Sequence, residues 1–281
     1  MALAVAGCAS EAAPVDPARP VVPADPPASA SVDPGALTDA VEAWLPGILD
    51  ADPGDLTPTL DAAAAGFGTC GVAYFDLDGA IYRIWSGDVT CEHGSITGFA
   101  QETSVPIAEL YDDPTLQGTY AFGYWLANVE TDEIHLWGDA YWVVQDALAA
   151  DGTASRGVYL EGDLFVDEDH APSWFVDGSA PQLNFGWSVA PDGSVSTAIA
   201  YASSPVDDPA VDAISALDLS VTSACDAVSG TVSAHVRNGG WIDLTLTTID
   251  DGCTACGDAV ADGGTGLGTI CVALDALVED R

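Results

Sequence analysis

The sequence predicts a mainly β fold, an antiparallel hairpin-rich sandwich or barrel with a short N-terminal helix, and two observations carry that prediction. From Gly71 onward apolar and polar residues alternate, as they do in strands that bury one face. Between the alternating runs stand Asp78-Gly79, Asp151-Gly152, Asp177-Gly178, Asp192-Gly193, Asn238-Gly239, Asp251-Gly252 and Asp262-Gly263, dipeptides that tolerate the positive φ of tight hairpin turns. "VAYFDLDGAIYRIW", "FGWSVAPDGSVSTAIAYA" and "TVSAHVRNGGWIDLTLTT" each read as a hairpin, and "TYAFGYWLANVETDEIHLWGDAYWVV" as a longer one. About ten to thirteen strands result, and sheets of that size tend to curl or split into two layers.

At the N-terminus, Val5-Ala6-Gly7-Cys8 resembles the lipobox of bacterial lipoproteins. The resemblance covers these four residues. It implies that Cys8 is diacylated and becomes the mature N-terminus, with residues 1–7 the remnant of an export signal. No basic residue precedes Cys8 and the apolar stretch before it is shorter than a signal requires, so the signal is expected to begin upstream or to have been trimmed. Ala9 follows the cysteine where Asp often retains lipoproteins in the inner membrane, which by resemblance favours the outer membrane of the cell envelope. The lipid on Cys8 then makes the membrane a partner.

Residues 8–33 read as a Pro/Ala-rich disordered tether, since seven of the chain's 17 prolines fall between positions 9 and 34 and such chain favours extended polyproline II. Residues 34–65 read as a short helical segment. Asp33 is placed to cap it and Pro34 to occupy its first position, with Leu37, Val41, Trp44 and Leu45 forming one apolar stripe. Pro46-Gly47 should kink or end the helix, and a further turn is expected at Leu60–Ala65. An antiparallel β domain follows over 66–205. Residues 206–281 form a disulfide-stapled C-terminal β region, either separate or part of the same domain, with Ser203–Asp212 the best internal boundary. "GGTGLG" at 263–268 reads as a loop, short of a dinucleotide fingerprint.

Seven cysteines are present. Assigning Cys8 to lipid leaves six, an even number suited to an exported protein. Cys70 and Cys91 flank the first hairpin and should close its base. A two-residue turn at Asn238-Gly239 would put Cys225 opposite Gly252, one residue from Cys253, a mismatch a bulge could absorb. That pairs Cys225 with Cys253 and leaves Cys256 for Cys271. Two rivals use the same residues: Cys253-x-x-Cys256 has thiol-redox spacing, and with Cys225 and Cys271 it offers four zinc ligands. The redox reading expects a helix N-terminus and the zinc reading a second knuckle, and the sequence offers neither.

The chain has 44 acidic and five basic residues among 281, a formal net charge of −39. Nucleic acid is excluded as a partner, because phosphate binding needs basic patches. Lysine is absent, which removes P-loop phosphate binding, Schiff-base chemistry and Ser-x-x-Lys activation.

The densest acidic patch, "EGDLFVDEDH", offers Glu161 and Asp163 on one strand face, with Asp167 and Asp169 beyond. Such groups could serve as a glycosidase-like acid pair or chelate calcium; no other cofactor is implied. "FDLDG" at 75–79 resembles the start of a calcium loop, but its later positions suit a hairpin better. His93, His135, His170 and His235 stand alone. Tyr120, Phe122 and Tyr124 alternate, as do Phe185 and Trp187. Aromatic rows of this kind can stack on sugar rings, although in sheet proteins they more often fill cores. The expected function is therefore a lipid-anchored, cell-surface or periplasmic binding or structural module, with a protein or carbohydrate partner, rather than an enzyme. The alternatives are an exported hydrolase using Glu161 and Asp163, and a thiol-redox protein using Cys253 and Cys256.

Overall fold

The computed structural model describes residues 33–55 and 72–278, apart from 78–79, 87–88, 92–93, 132–134, 168, 238, 251 and 263, with 72–102 described as backbone. Cys8, the tether to residue 32, the turn expected at Leu60–Ala65, Cys70 with its expected bond to Cys91, and His93 lie outside the described residues.

Helix α1 spans Pro34–Leu49. Asp33 caps it, its carboxylate accepting the Gly35 N–H at 3.0 Å, and Pro34 takes the first position, where a missing N–H costs nothing. The expected stripe is buried, joined by Ala40, Ile48 and Leu49. Pro46 does not end the helix, which runs one further turn to Leu49. A helix whose one face is packed against a sheet can tolerate a single lost intrahelical bond.

Among the described residues fourteen strands form one antiparallel sheet: β1 (Val72–Leu77), β2 (Ala80–Ser86), β3 (Val89–Cys91), β4 (Gly94–Pro106), β5 (Gln117–Thr131), β6 (His135–Leu148), β7 (Ala154–Val166), β8 (Gln182–Val189), β9 (Val195–Pro205), β10 (Val211–Thr222), β11 (Val228–Val236), β12 (Trp241–Ile249), β13 (Thr254–Ala261) and β14 (Thr265–Ala273). Apart from β3, which pairs with β4, each strand neighbours the next in sequence, and β1 and β14 are the two ends of the path. The hairpin-rich antiparallel fold is as expected. The sheet is one open path rather than a closed barrel or two separate layers. It runs through the Ser203–Asp212 segment without a break, since β9 pairs with β10 from Pro205–Ala213 to Ser196–Thr222. Of "GGTGLG", expected to be a loop, Gly264 lies in a turn and Thr265–Gly268 belong to β14.

This sheet curls. The Thr197 hydroxyl of β9 donates to the carbonyl of Leu277, only four residues beyond the end of β14. Four extended residues reach about 13 Å, whereas five interstrand steps on a flat sheet measure about 24 Å. Helix α1 lies within the curl. Thr38 bonds the Cys271 carbonyl of β14 at 3.1 Å, and the Trp44 indole donates to Ser204 of β9 at 2.7 Å. Beyond the helix, Asp52 pairs with Arg156 of β7. The inward faces of β6–β14 pack on this helix and on the 3₁₀ turn Asp275–Leu277, with Leu136, Leu160, Leu183, Ile214 and Leu277 fully buried.

Most of the turns depart from the two-residue form. Leu77 does pair directly with Ala80. In Ala149–Thr153 and Ala190–Ser194, however, the first N–H bonds the carbonyl four residues on, and Gly152 and Gly193 bond back three residues at positive φ. That is a type I turn closed by a glycine bulge, with three residues in the loop. Asp151 accepts the Thr153 N–H at 2.9 Å, and Asp192 accepts the Ser194 hydroxyl at 2.7 Å and its N–H at 2.9 Å, which holds both carboxyls below the usual range. Between β11 and β12 the Val236 N–H likewise bonds the Gly240 carbonyl and Gly239 bonds back to Val236, so His235 faces Trp241. The expected register is therefore off by one residue.

Candidate binding groove on the outward face

Both C-terminal disulfides pair as expected, Cys225 with Cys253 and Cys256 with Cys271. Cys256 and Cys271 are directly opposite on β13 and β14. Cys225 reaches Cys253 by a different route from the one counted. It sits in the loop after β10 with a left-handed φ of 48°, and Cys253 sits in the turn before β13. Cys253 and Cys256 are thus held in different bonds and are both buried.

The acidic residues do not converge. Glu161 and Asp163 share the outward face of β7, both exposed, and Asp163 stands opposite Asp139. Glu161 accepts the Tyr159 hydroxyl. Asp167 accepts the His135 N–H at 2.8 Å and meets His170 Nδ1 at 2.6 Å. Burial would raise the Asp167 carboxyl, but these two partners outweigh it and lower it. Asp169 is exposed. Among the described residues no three His, Cys, Asp or Glu side chains are placed to hold a metal ion. His235, buried in β11, meets Asp212 at 2.6 Å.

Aromatic residues mark the outward face instead. Ala121 and Gly123 of β5 point inward, so Tyr120, Phe122 and Tyr124 point out, with Tyr124 39% exposed. Tyr124 faces Tyr141 of β6, and Tyr141 is 38% exposed. The Tyr141 and Tyr159 rings meet edge to face at 5.8 Å, and Tyr159 meets Tyr201 of β9 at 6.3 Å. Trp137 stacks on Phe165 at 5.2 Å. The alternating aromatic residues of β5 are thus a surface, whereas Phe185 is core and Trp187 packs half-buried against it. Tyr141, Tyr159 and Tyr201 carry no motif of their own; only the pairing of β5 through β9 assembles them.

Beside this tyrosine wall the face is hollowed. Gln145, Gly157, Gly186, Ala198 and Ser220 face one another in turn across β6, β7, β8, β9 and β10. The missing side chains of Gly157 and Gly186 leave a floor there. A depression of about 330 Å³ opens over Val143, Gln145, Ser155, Gly157, Tyr159 and Asn184, and one of about 490 Å³ over Asn184, Gly186, Ala198, Ala200, Asp218 and Ser220. They meet at Asn184 and together form a shallow groove running across the strands. Helix α2 (Ile107–Tyr111) closes one end, the Tyr111 hydroxyl donating to Gln145 at 3.5 Å.

Three phenols of this face are shifted upward. Burial first, then the neighbouring Tyr141, pushes the Tyr120 phenol up to about 12. Burial, then the bond to Glu161, raises Tyr159, and burial raises Tyr201 against the opposing effect of its hydrogen bond with Tyr159. Arg156 turns to the inward face, where it pairs with Asp52 and, at 3.2 Å, with Asp146.

A third depression, about 240 Å³, lies between α1 and Trp174, Phe175 and Val206. Both of its indoles are engaged, Trp44 with Ser204 and Trp174 with Asp55 at 3.3 Å.

Fold and face together define a curled β-sheet scaffold that carries a groove on its outward surface. No family model matches the chain, and no curated protein or solved structure matches it.

Proposed function

We propose that the protein is an envelope-anchored binding module, tethered through lipid on Cys8 and holding its ligand in the groove between β6 and β10. The observation that carries this reading is the groove lined by Tyr159 and Asn184 on an outward face that, among the described residues, only helix α2 touches, at Gln145. The lipobox-like Val5-Ala6-Gly7-Cys8 and the proline-rich segment after it support the anchor. Glu161 and Asp163 stand on open surface and line none of the three depressions, which favours holding a ligand over cleaving one. Cys253 and Cys256, in separate buried bonds, favour staples over redox exchange.

Two measurements test the reading. Mass spectrometry of the native N-terminal peptide should show an acylated Cys8 at the mature terminus; an unmodified Cys8 joined to residues 1–7 overturns the anchor. Purified protein should co-sediment with detergent-extracted cell envelopes, and Gly157→Phe, which fills the groove, should remain in the supernatant. Equal sedimentation of both overturns the binding face.

A further inference from the structure

We infer that the groove takes a neutral, hydroxyl-rich polymer, a polysaccharide of uncharged sugars, laid across the strands. This rests on the binding-face reading above. The floor row from Gln145 to Ser220 crosses four interstrand steps, about 19 Å, a length that suits an extended chain better than a single small molecule. Its lining matches hydroxyl pairs, which both donate and accept. Asn184 and Gln145 present amides, Gln145 with its NH2 left to donate beyond the Tyr111 bond. Ser155, Ser220 and Tyr159 present hydroxyls, of which Ser220 already pairs with Ser229 and Tyr159 donates to Glu161, keeping acceptor capacity. Glycine and alanine on the floor let a flat ring approach the backbone, and the Tyr159 ring in the lining offers an apolar face.

Charge decides against other polymers. Arg156 is part of the lining, but its guanidinium is engaged by Asp52 and Asp146, so an anionic chain would have to compete with two carboxylates for it and faces a net charge of −39. A cationic chain is drawn to the protein by its net charge, but within the groove it finds a single lining carboxylate, Asp218, at one end. A peptide strand pairs with a sheet edge, and this row lies in the middle of the sheet.

Affinity electrophoresis of the full chain tests the inference, with mixed-linkage β-glucan, mannan and dextran as neutral probes, alginate as the anionic one and chitosan oligomers as the cationic one. At least one neutral polymer should retard the protein, equally at about 0.1 M and about 1 M salt, since uncharged contacts are not screened. Tyr159→Ala and Gly157→Phe should each weaken that retardation by about tenfold or more. A Cβ at Gly157 meets nothing within 4 Å, and Ala198→Trp, at an exposed position, blocks the same floor from another strand; circular dichroism verifies both folds. Binding to chitosan or alginate alone, lost in Gly157→Phe, overturns the ligand class and leaves the binding face standing. Neutral binding that survives both blocking variants overturns the face itself, and no retardation by any neutral polymer overturns the inference.

Discussion

Tyr159 on β7 and Tyr201 on β9 meet edge to face at 6.3 Å across the intervening strand β8, where Asn184 stands opposite both. Two rings reach across a whole strand because the residue between them is shorter than either. Tyr159 also lines the groove, and burial raises the phenols of both rings.

That burial predicts an alkaline signature. The chain has eight tyrosines, and absorbance titration should show Tyr120 ionising only near 12, with Tyr159 and Tyr201 also displaced upward. Tyr120→Phe should then leave the phenolate signal at about pH 11 almost unchanged. The sign of the stability effect follows from proton linkage. A phenol whose folded pKa exceeds its unfolded value holds its proton more tightly in the folded state. Its contribution is complete below about pH 10 and is lost as pH rises toward 12. Thermal melts should decline over that window, less steeply in Tyr120→Phe.

The two staples should differ little in worth. Cys256–Cys271 closes 15 residues of sequence and Cys225–Cys253 closes 28. Chain-entropy arguments assign about 3 kcal/mol to the first and about 3.5 kcal/mol to the second. Replacing either pair by serine should lower Tm by about 6–12 °C in a domain of this size. Thiol counting on the denatured, unreduced chain should find none of these four cysteines reactive. A free thiol at Cys253 or Cys256 would contradict the pairing.

Two glycines should respond to alanine with opposite signs. Gly123 on β5 lies directly opposite Trp142, and a Cβ there would overlap the indole. Gly123→Ala should cost about 1–3 kcal/mol by overpacking. Gly47 lies in the last turn of α1, where a Cβ meets nothing within 4 Å. Gly47→Ala should stabilise by about 0.5–1 kcal/mol by restoring helix propensity. Denaturant unfolding of the two variants checks both.

Trp44→Phe separates a hydrogen bond from packing at the junction of helix and sheet. The indole donates to Ser204 in a buried site, so losing it should cost about 1–3 kcal/mol, including the serine left unpaired. Trp44→Phe with Ser204→Ala should recover part of that loss, and a double-mutant cycle reads the coupling.

By itself the sequence determined the elements. Period-two alternation and Asp-Gly or Asn-Gly punctuation are local properties, so the strands, the hairpins, the Asp33 cap and the buried stripe of α1 follow from neighbouring residues alone. The pairing of Cys256 with Cys271 was legible for the same reason, being the closure of one hairpin. Only the tertiary structure decided the three-residue turns, which depend on where each ladder bond closes and shift the register by one. It alone decided the curl, because that is set by the contacts of α1 and the 3₁₀ turn at 275–277 with distant strands. The groove belongs to this second class. Gln145, Gly157, Gly186, Ala198 and Ser220 are unremarkable at their places in the chain, and they become one floor because antiparallel register aligns five strands side by side.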